Sequence, residues 1–207
     1  MTVLSKVRIG LAVGCCMVAA GCAEQEGLAP VAPPEPEIAI SCIAVMPVQV
    51  IVDVDNAMSQ ADEKRLQDGR QVMDGLLKQQ LADTVKARFI PEGQVQGKGQ
   101  ANAQQLAGRA KCNAVLETTL SRYQERVGNQ YGVQDSAAVT FAYKLYEVSS
   151  GRVLCHGRFD EKQQPLMDNL LTLPKTKSRG LGWLSAEELL RDGMQERLGQ
   201  CLYLEGK

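Results

Sequence analysis

From residue 38 onward, the spacing of apolar positions follows one rule after another. Ser41-Cys42-Ile43-Ala44-Val45-Met46-Pro47-Val48 is an apolar run of strand length stopped by a proline, and a run apolar on both faces predicts a buried central strand. From about Gln60 to Val85, Leu66, Met73, Leu77, Leu81 and Val85 recur at steps of seven or four. Leu76 lies beside them and charges fill the gaps, which predicts a long amphipathic helix capped by Ser59 or Asp62. Lys86 to Ile90 predicts a short strand ended by Pro91. Gly93 to Gly99 reads as a loop, and Ala101 to Lys111 as a second helix leading straight into a strand.

From Asn113 the period becomes two. Leu116, Thr118 and Leu120 take one face and Glu117, Thr119 and Ser121 the other. Gln124 to Asp135, with Tyr131 between glycines, connects to a strand in which Val139, Phe141, Tyr143 and Leu145 alternate with Thr140, Ala142, Lys144 and Tyr146. Ser149-Ser150-Gly151 predicts a tight turn into a third strand, with Val153, Cys155 and Phe159 on one face and Leu154, His156, Arg158 and Asp160 on the other. A closing helix runs from about Ser185 to Leu198, opened by the capping-box pattern Ser185-Ala186-Glu187-Glu188. The predicted class is α/β: a two-layer or three-layer sandwich of βαβαβ, an antiparallel meander and a C-terminal helix.

Upstream, Lys6 and Arg8 precede an apolar run from Ile9 to Ala20 that is too short to span a bilayer and ends in Ala19-Ala20-Gly21-Cys22. This is the pattern of a bacterial lipobox, with Cys22 as the lipidated mature N-terminus; Cys15 and Cys16 have less suitable residues before them. A multiply acylated cysteine is a durable anchor, because each buried methylene contributes roughly 0.8 kcal/mol. Ala23 to Glu37 holds Pro30, Pro33, Pro34 and Pro36 without a hydrophobic period, so it reads as an extended tether. At about 3.1 Å per residue it reaches roughly 45 Å. The expected organisation is therefore a signal peptide over 1–21, a Pro-rich tether over 22–37 and one periplasmic domain over 38–207.

Loss of the signal peptide leaves 21 basic against 24 acidic residues, a net charge of −3, which argues against a nucleic-acid partner and gives no basic footprint for a membrane surface. Beyond Cys22 the expected mature chain has Cys42, Cys112, Cys155 and Cys201, an even number suited to an oxidising compartment. Three pairings are formally open. If Cys42 and Cys112 begin adjacent parallel strands, they pair and leave Cys155 for Cys201. With no CxxC and a single histidine, the pattern argues against a zinc site, and no metal or cofactor is expected.

Catalytic patterns are missing: the chain holds no GxSxG elbow, Walker loop, dinucleotide fingerprint, HExxH or calcium-loop pattern. Any imidazole chemistry would run through His156, which reads as a structural residue. Asp160 and Glu161, adjacent on a strand, point to opposite faces and form no local carboxylate pair. Asp53 and Asp55 read as a solvated loop.

Ile43-Ala44-Val45-Met46-Pro47-Val48, the long helix after it, Ala110-Lys111-Cys112-Asn113-Ala114-Val115-Leu116, and Tyr146-Glu147-Val148-Ser149-Ser150-Gly151-Arg152-Val153-Leu154 together resemble a known superfamily. It is the envelope lipoprotein superfamily of the curli secretion protein CsgG, the penicillin-binding-protein activator LpoB, the exopolysaccharide protein PelC and the amino-terminal domain of TolB. Its usual "glycine-alanine-aspartate" is replaced here by Lys111-Cys112-Asn113, and its "threonine-glycine" hairpin by Ser150-Gly151. The resemblance covers roughly Ile40 to Lys162 and is specific for fold more than for role. The segments from Phe159 to Leu189 are similar to lipoproteins of deltaproteobacterial genomes to which no activity is attached. Ala23, by resemblance to bacterial lipoproteins, favours the outer over the inner membrane.

Two segments invite a partner. Leu166 to Leu184 carries Lys175, Lys177, Arg179 and the only tryptophan, Trp183, which read either as a contact loop or as a cover for the sheet. The Gln124 to Asp135 connection lies where secretion proteins of the superfamily insert extra segments, but it is too short and polar for membrane-spanning hairpins. The resulting expectation is a non-enzymatic accessory or scaffold in envelope assembly or secretion, held by its lipid to the outer membrane and working through protein contacts. The alternatives are a ring-forming homo-oligomeric scaffold for an exported polysaccharide and a periplasmic hydrolase.

Overall fold

The computed structural model describes residues 37–51, 59–82, 87–95, 97, 99–129, 131–164 and 182–204. Its central feature is a mixed sheet in the order β3-β1-β4-β7-β8, built from β1 (Ile43–Val45), β3 (Ala87–Phe89), β4 (Ala114–Gln124), β7 (Ala138–Glu147) and β8 (Val153–Lys162), with β2 (Gln49–Val50) also on β4. β3, β1, β2 and β4 run parallel, and β7 and β8 continue as an antiparallel meander. The connecting helices are α1 (Gln60–Leu81) and α2 (Gln100–Arg109), and α3 (Ala186–Leu198) closes the chain. The expected α/β order is thus present.

The first predicted strand is in fact two. Pro47 cannot donate to the ladder, and the strand breaks around it. Met46 N–H still reaches Leu116 O and Ile51 N–H reaches Leu120 O, both at 3.0 Å, but Val48 N–H turns away to Asp74 on α1. Val45 lies opposite Leu116 and Gln49 opposite Thr119, so the break holds one residue more than the facing strand.

Two cores sandwich the parallel half. On one sheet face, α1 (Leu66, Met73, Leu77) and α3 (Leu189, Leu190, Met194) cover Leu116, Leu120, Phe141, Leu145 and Phe159. Phe141 and Phe159 stack with ring centroids 5.4 Å apart. On the other face, α2 covers Ala44, Met46, Val115 and Tyr146 through Ala103, Leu106 and Ala107. The sandwich is therefore three layers over the parallel strands and two over the antiparallel ones.

Caps and cysteines fix the ends. Ser59 caps α1, and Ser185 and Glu188 form a reciprocal capping box on α3. Cys42 is disulfide-bonded to Cys112 at the start of β1 and β4, with Cα atoms 4.6 Å apart, and Cys155 to Cys201, which ties the tail to β8. At the same end of the sheet, Asn113 Oδ1 accepts N–H bonds from Ser41 and Cys42, and the Glu37 carboxylate meets Arg152 at 2.6 Å while Glu37 N–H donates to Tyr203 Oη. The chain thus enters the sheet at the amino ends of β1 and β4, which we call the amino pole.

Three expectations are corrected. Val153 is not on the core face. The register shift between Leu145 and Tyr146 puts an extra residue in β8, so Leu154 packs inward with Cys155 and Val153 is left 44% exposed. The Gln124 to Asp135 connection is not a plain loop, since it contains a hairpin of β5 (Val127–Asn129) and β6 (Gly132–Asp135). The first long helix ends at Leu81, short of Val85.

Lys111 follows α2 with a φ of +56°, a left-handed conformation that costs an L side chain about 1 kcal/mol. Lys111→Gly is expected to raise the denaturant midpoint by a corresponding amount, with the slope unchanged.

Candidate contact site at the carboxyl pole

In open α/β sheets, ligands collect beyond the carboxyl ends of the strands at the point where strand order reverses. Here that point lies between β1 and β4, and β2 fills it. The opening is displaced to the other side of β1 and β2, where two adjoining clefts of about 330 and 470 Å³ share Pro47 and Glu92. The smaller is walled by Met46, Leu77, Phe89 and Ile90, with Asp74 and Lys78 from α1. The larger runs along Val48, Gln49 and Val50 toward Val95 and Gly97.

A charged trio sits between them. Arg70 Nη1 is 2.9 Å from Glu92 Oε1, and its Nε donates to Gln67 Oε1 at 3.1 Å. Asp74 Oδ1 accepts Val48 N–H at 3.0 Å, whereas Oδ2 is 4.0 Å from Arg70 Nη1. Burial pushes the Asp74 carboxyl above its ordinary range, against the Val48 hydrogen bond and the Arg70 charge. A raised carboxyl binds a proton more readily folded than unfolded, so stability falls as pH rises through the folded pKa. Asp74→Asn keeps an acceptor for Val48 without the charge. It is expected to match the wild type in acid and to exceed it at neutral pH, as read from denaturant midpoints across pH.

The β5–β6 hairpin stands at the same pole. Asn129 Oδ1 accepts the Tyr131 and Gly132 N–H groups and so closes the turn, leaving Tyr131 87% exposed. The residues before the hairpin lock it to α3: Glu125 accepts the Ala186 N–H with both carboxylate oxygens, and Arg126 donates to the Trp183 carbonyl. Beneath them Tyr123 packs against α1 at Gly69, and burial, reinforced by Glu125, Glu187 and Asp68, pushes its phenol up to about 12.

The uncovered sheet face takes the charged residues of the meander. His156 lies exposed opposite Lys144, and Glu117 faces Lys144 from the other strand. Asp160 is held low by hydrogen bonds from Arg158 and Thr140 and by the Arg122 charge. Asp160 with Arg122 and Arg158 thus forms ion pairs on this polar face. Glu161, next along β8, lies across the pleat from Asp160. Among the described residues, no group of three or more His, Cys, Asp or Glu is placed to hold a metal ion, and no helix is long and apolar enough to cross a membrane.

Of the contact residues read from sequence, Trp183 is half-buried and engaged through its carbonyl. Lys175, Lys177, Arg179, Asp53, Asp55 and Cys22 lie outside the described residues. Sequence reasoning missed Arg70, Asp74 and Glu92. The available signal was an i,i+4 Arg–Asp pair on the α1 face that meets a proline-broken strand, and it carries no motif.

No protein-family model matches the chain, and no curated protein matches it. Among solved structures it is similar to the PelC dodecamer of Paraburkholderia phytofirmans, with 13% identity, 81% of this chain and 89% of that one covered, and a TM-score of 0.50. It is also similar to the LpoB C-terminal domain of Salmonella enterica, with 13% identity, 61% and 87% coverage, and a TM-score of 0.38. The likeness to PelC shows a shared fold and nothing further.

Proposed function

We propose that the chain is an outer-membrane-anchored periplasmic lipoprotein, a non-enzymatic accessory in envelope assembly or secretion that works through protein contacts at its carboxyl pole. One observation carries this reading. Of the four exposed large apolar residues among those described, Ile51, Val127 and Tyr131 all lie at the carboxyl pole, and Glu37, which leads from the tether into the sheet, lies at the amino pole. The gathering of these exposed side chains at one end of the domain supports that end as the contact face. The exposed His156, set opposite Lys144, and the ion-paired Asp160 support a role without catalysis.

The dodecameric state of PelC favours, as a second reading, a ring-forming scaffold for an exported polysaccharide. The size of the complex separates the two. The test is crosslinking and affinity capture of the full lipoprotein from native membranes, as wild type and as Val127→Ser/Tyr131→Ser. The expected result is a discrete hetero-complex that the double variant loses about tenfold or more, with an unchanged melting temperature because both side chains are exposed. Recovery of a monomer alone, or undiminished capture by the variant, would contradict the reading, and a large complex containing only this chain would select the ring.

A further inference from the structure

The break at Pro47 leaves one place in the sheet that no described strand fills. β3 pairs with β1 over Ile43–Val45, and after Ile90 N–H has bonded to Val45 O the chain turns off at Pro91. β2 therefore pairs with β4 on one side, and its other side borders the 470 Å³ cleft, where no described strand lies. Beyond Val48, whose N–H is taken by Asp74, this side of β2 carries a main-chain edge, and the cleft adjoins at Pro47 the one that holds Asp74.

We propose that this groove binds an extended segment of a partner protein, which lies beside β2 and sets a lysine side chain against Asp74. The proposal rests on the reading of the carboxyl pole as the contact face and adds the chemistry of what is recognised there. The main-chain part is strand addition: a free strand edge offers N–H and C=O groups to any extended peptide, and neighbouring pockets choose the side chains. At about 3.3 Å per residue, the groove beside Val48–Val50 takes three or four residues.

The side-chain part follows from how Asp74 is partnered. Glu92 and Gln67 draw the Arg70 guanidinium away, so Asp74 Oδ2 is left 4.0 Å from it, beyond hydrogen-bond distance, while Oδ1 is used by Val48. A lysine meets this arrangement along its whole length. Its methylenes fit along Pro47, Phe89 and Pro91, and its ammonium reaches the second carboxylate oxygen in a charge-assisted bond. Glu92 lines the same clefts but is paired with Arg70, and Lys78 beside Asp74 limits the site to one added cation. Burial works against the Asp74 charge and so makes it costly to keep. A buried carboxyl shifted upward at the wall of a cleft fits a binding role.

The test uses the full-length lipoprotein in detergent, labelled at its methionine methyls, titrated with the capped tripeptides Val-Lys-Val and Val-norleucine-Val. Met46 lines the cleft, and Met73 and Met194 lie in the other core as internal controls. The lysine peptide is expected to shift Met46 alone, saturably, and to bind about tenfold tighter than the norleucine peptide. Asp74→Asn should remove that difference while leaving Met73 and Met194 in place. Equal binding of the two peptides, unchanged binding by Asp74→Asn, or a silent Met46 would overturn the proposal. Because no natural partner is present, such a failure combined with intact Tyr131-dependent capture removes the groove and keeps the pole.

Discussion

Replacing Cys42 and Cys112 together by alanine is expected to cost about 4 kcal/mol of folding stability. The magnitude follows from the 70-residue separation that this bridge closes, which in the chain-entropy account restricts the unfolded chain far more than the folded one. In the folded chain both half-cystines are buried beside α2, so alanine leaves a small void as well. A loss of this size is a large fraction of the stability of an ordinary domain. Thermal unfolding of the double variant should show a drop of roughly 10 °C, at about 2–4 °C per kcal/mol for a chain of this length. The Cys155–Cys201 bridge closes 46 residues and should give a slightly smaller loss. A shift of less than about 2 °C for the first variant would show that the bridge does not form in the native protein.

The second large effect is a reversal of sign. Glycine to alanine inside a helix ordinarily gains about 1 kcal/mol, and Gly75 on the exposed side of α1, with nothing within 4 Å of an added Cβ, should behave so. Gly193 on α3 should do the opposite. An added Cβ would lie 2.7 Å from the Phe159 ring, and that ring is held by Phe141 and the sheet with no room to withdraw. Overpacking of this kind costs about 1–3 kcal/mol, enough to outweigh the helical gain. Matched denaturant curves of Gly75→Ala and Gly193→Ala, with midpoints moving in opposite directions, check the α3–sheet contact. Two upward shifts would mean that α3 stands farther from β8 than the Phe159 contact requires.

Much of the fold was legible in the chain because period and burial agree. Alternation in Val139 to Leu145 placed those residues on the core face, and the seven-and-four spacing from Leu66 to Leu81 gave α1 its buried side. The failures are local and share a cause. Pro47 and Leu154 each mark an extra residue against a facing strand, and register against a neighbour is a property of two segments that neither reveals alone. The hairpin was hidden because Val127 to Asp135 buries almost nothing, so no hydrophobic alternation announced it. The groove was hidden for a deeper reason: Arg70, Asp74, Glu92 and Pro47 come from three elements, and only the sheet order brings them to one place.

Whether the protein meets a partner at the carboxyl pole can be decided by placing a photo-crosslinking residue at position 131 or at position 153 of the full-length protein in living cells. Both sites are exposed, and they lie at opposite ends of the sheet. Contact at the carboxyl pole predicts a discrete crosslinked protein from position 131 and none from position 153. Crosslinks from position 153 alone would place the partner at the amino pole and contradict it.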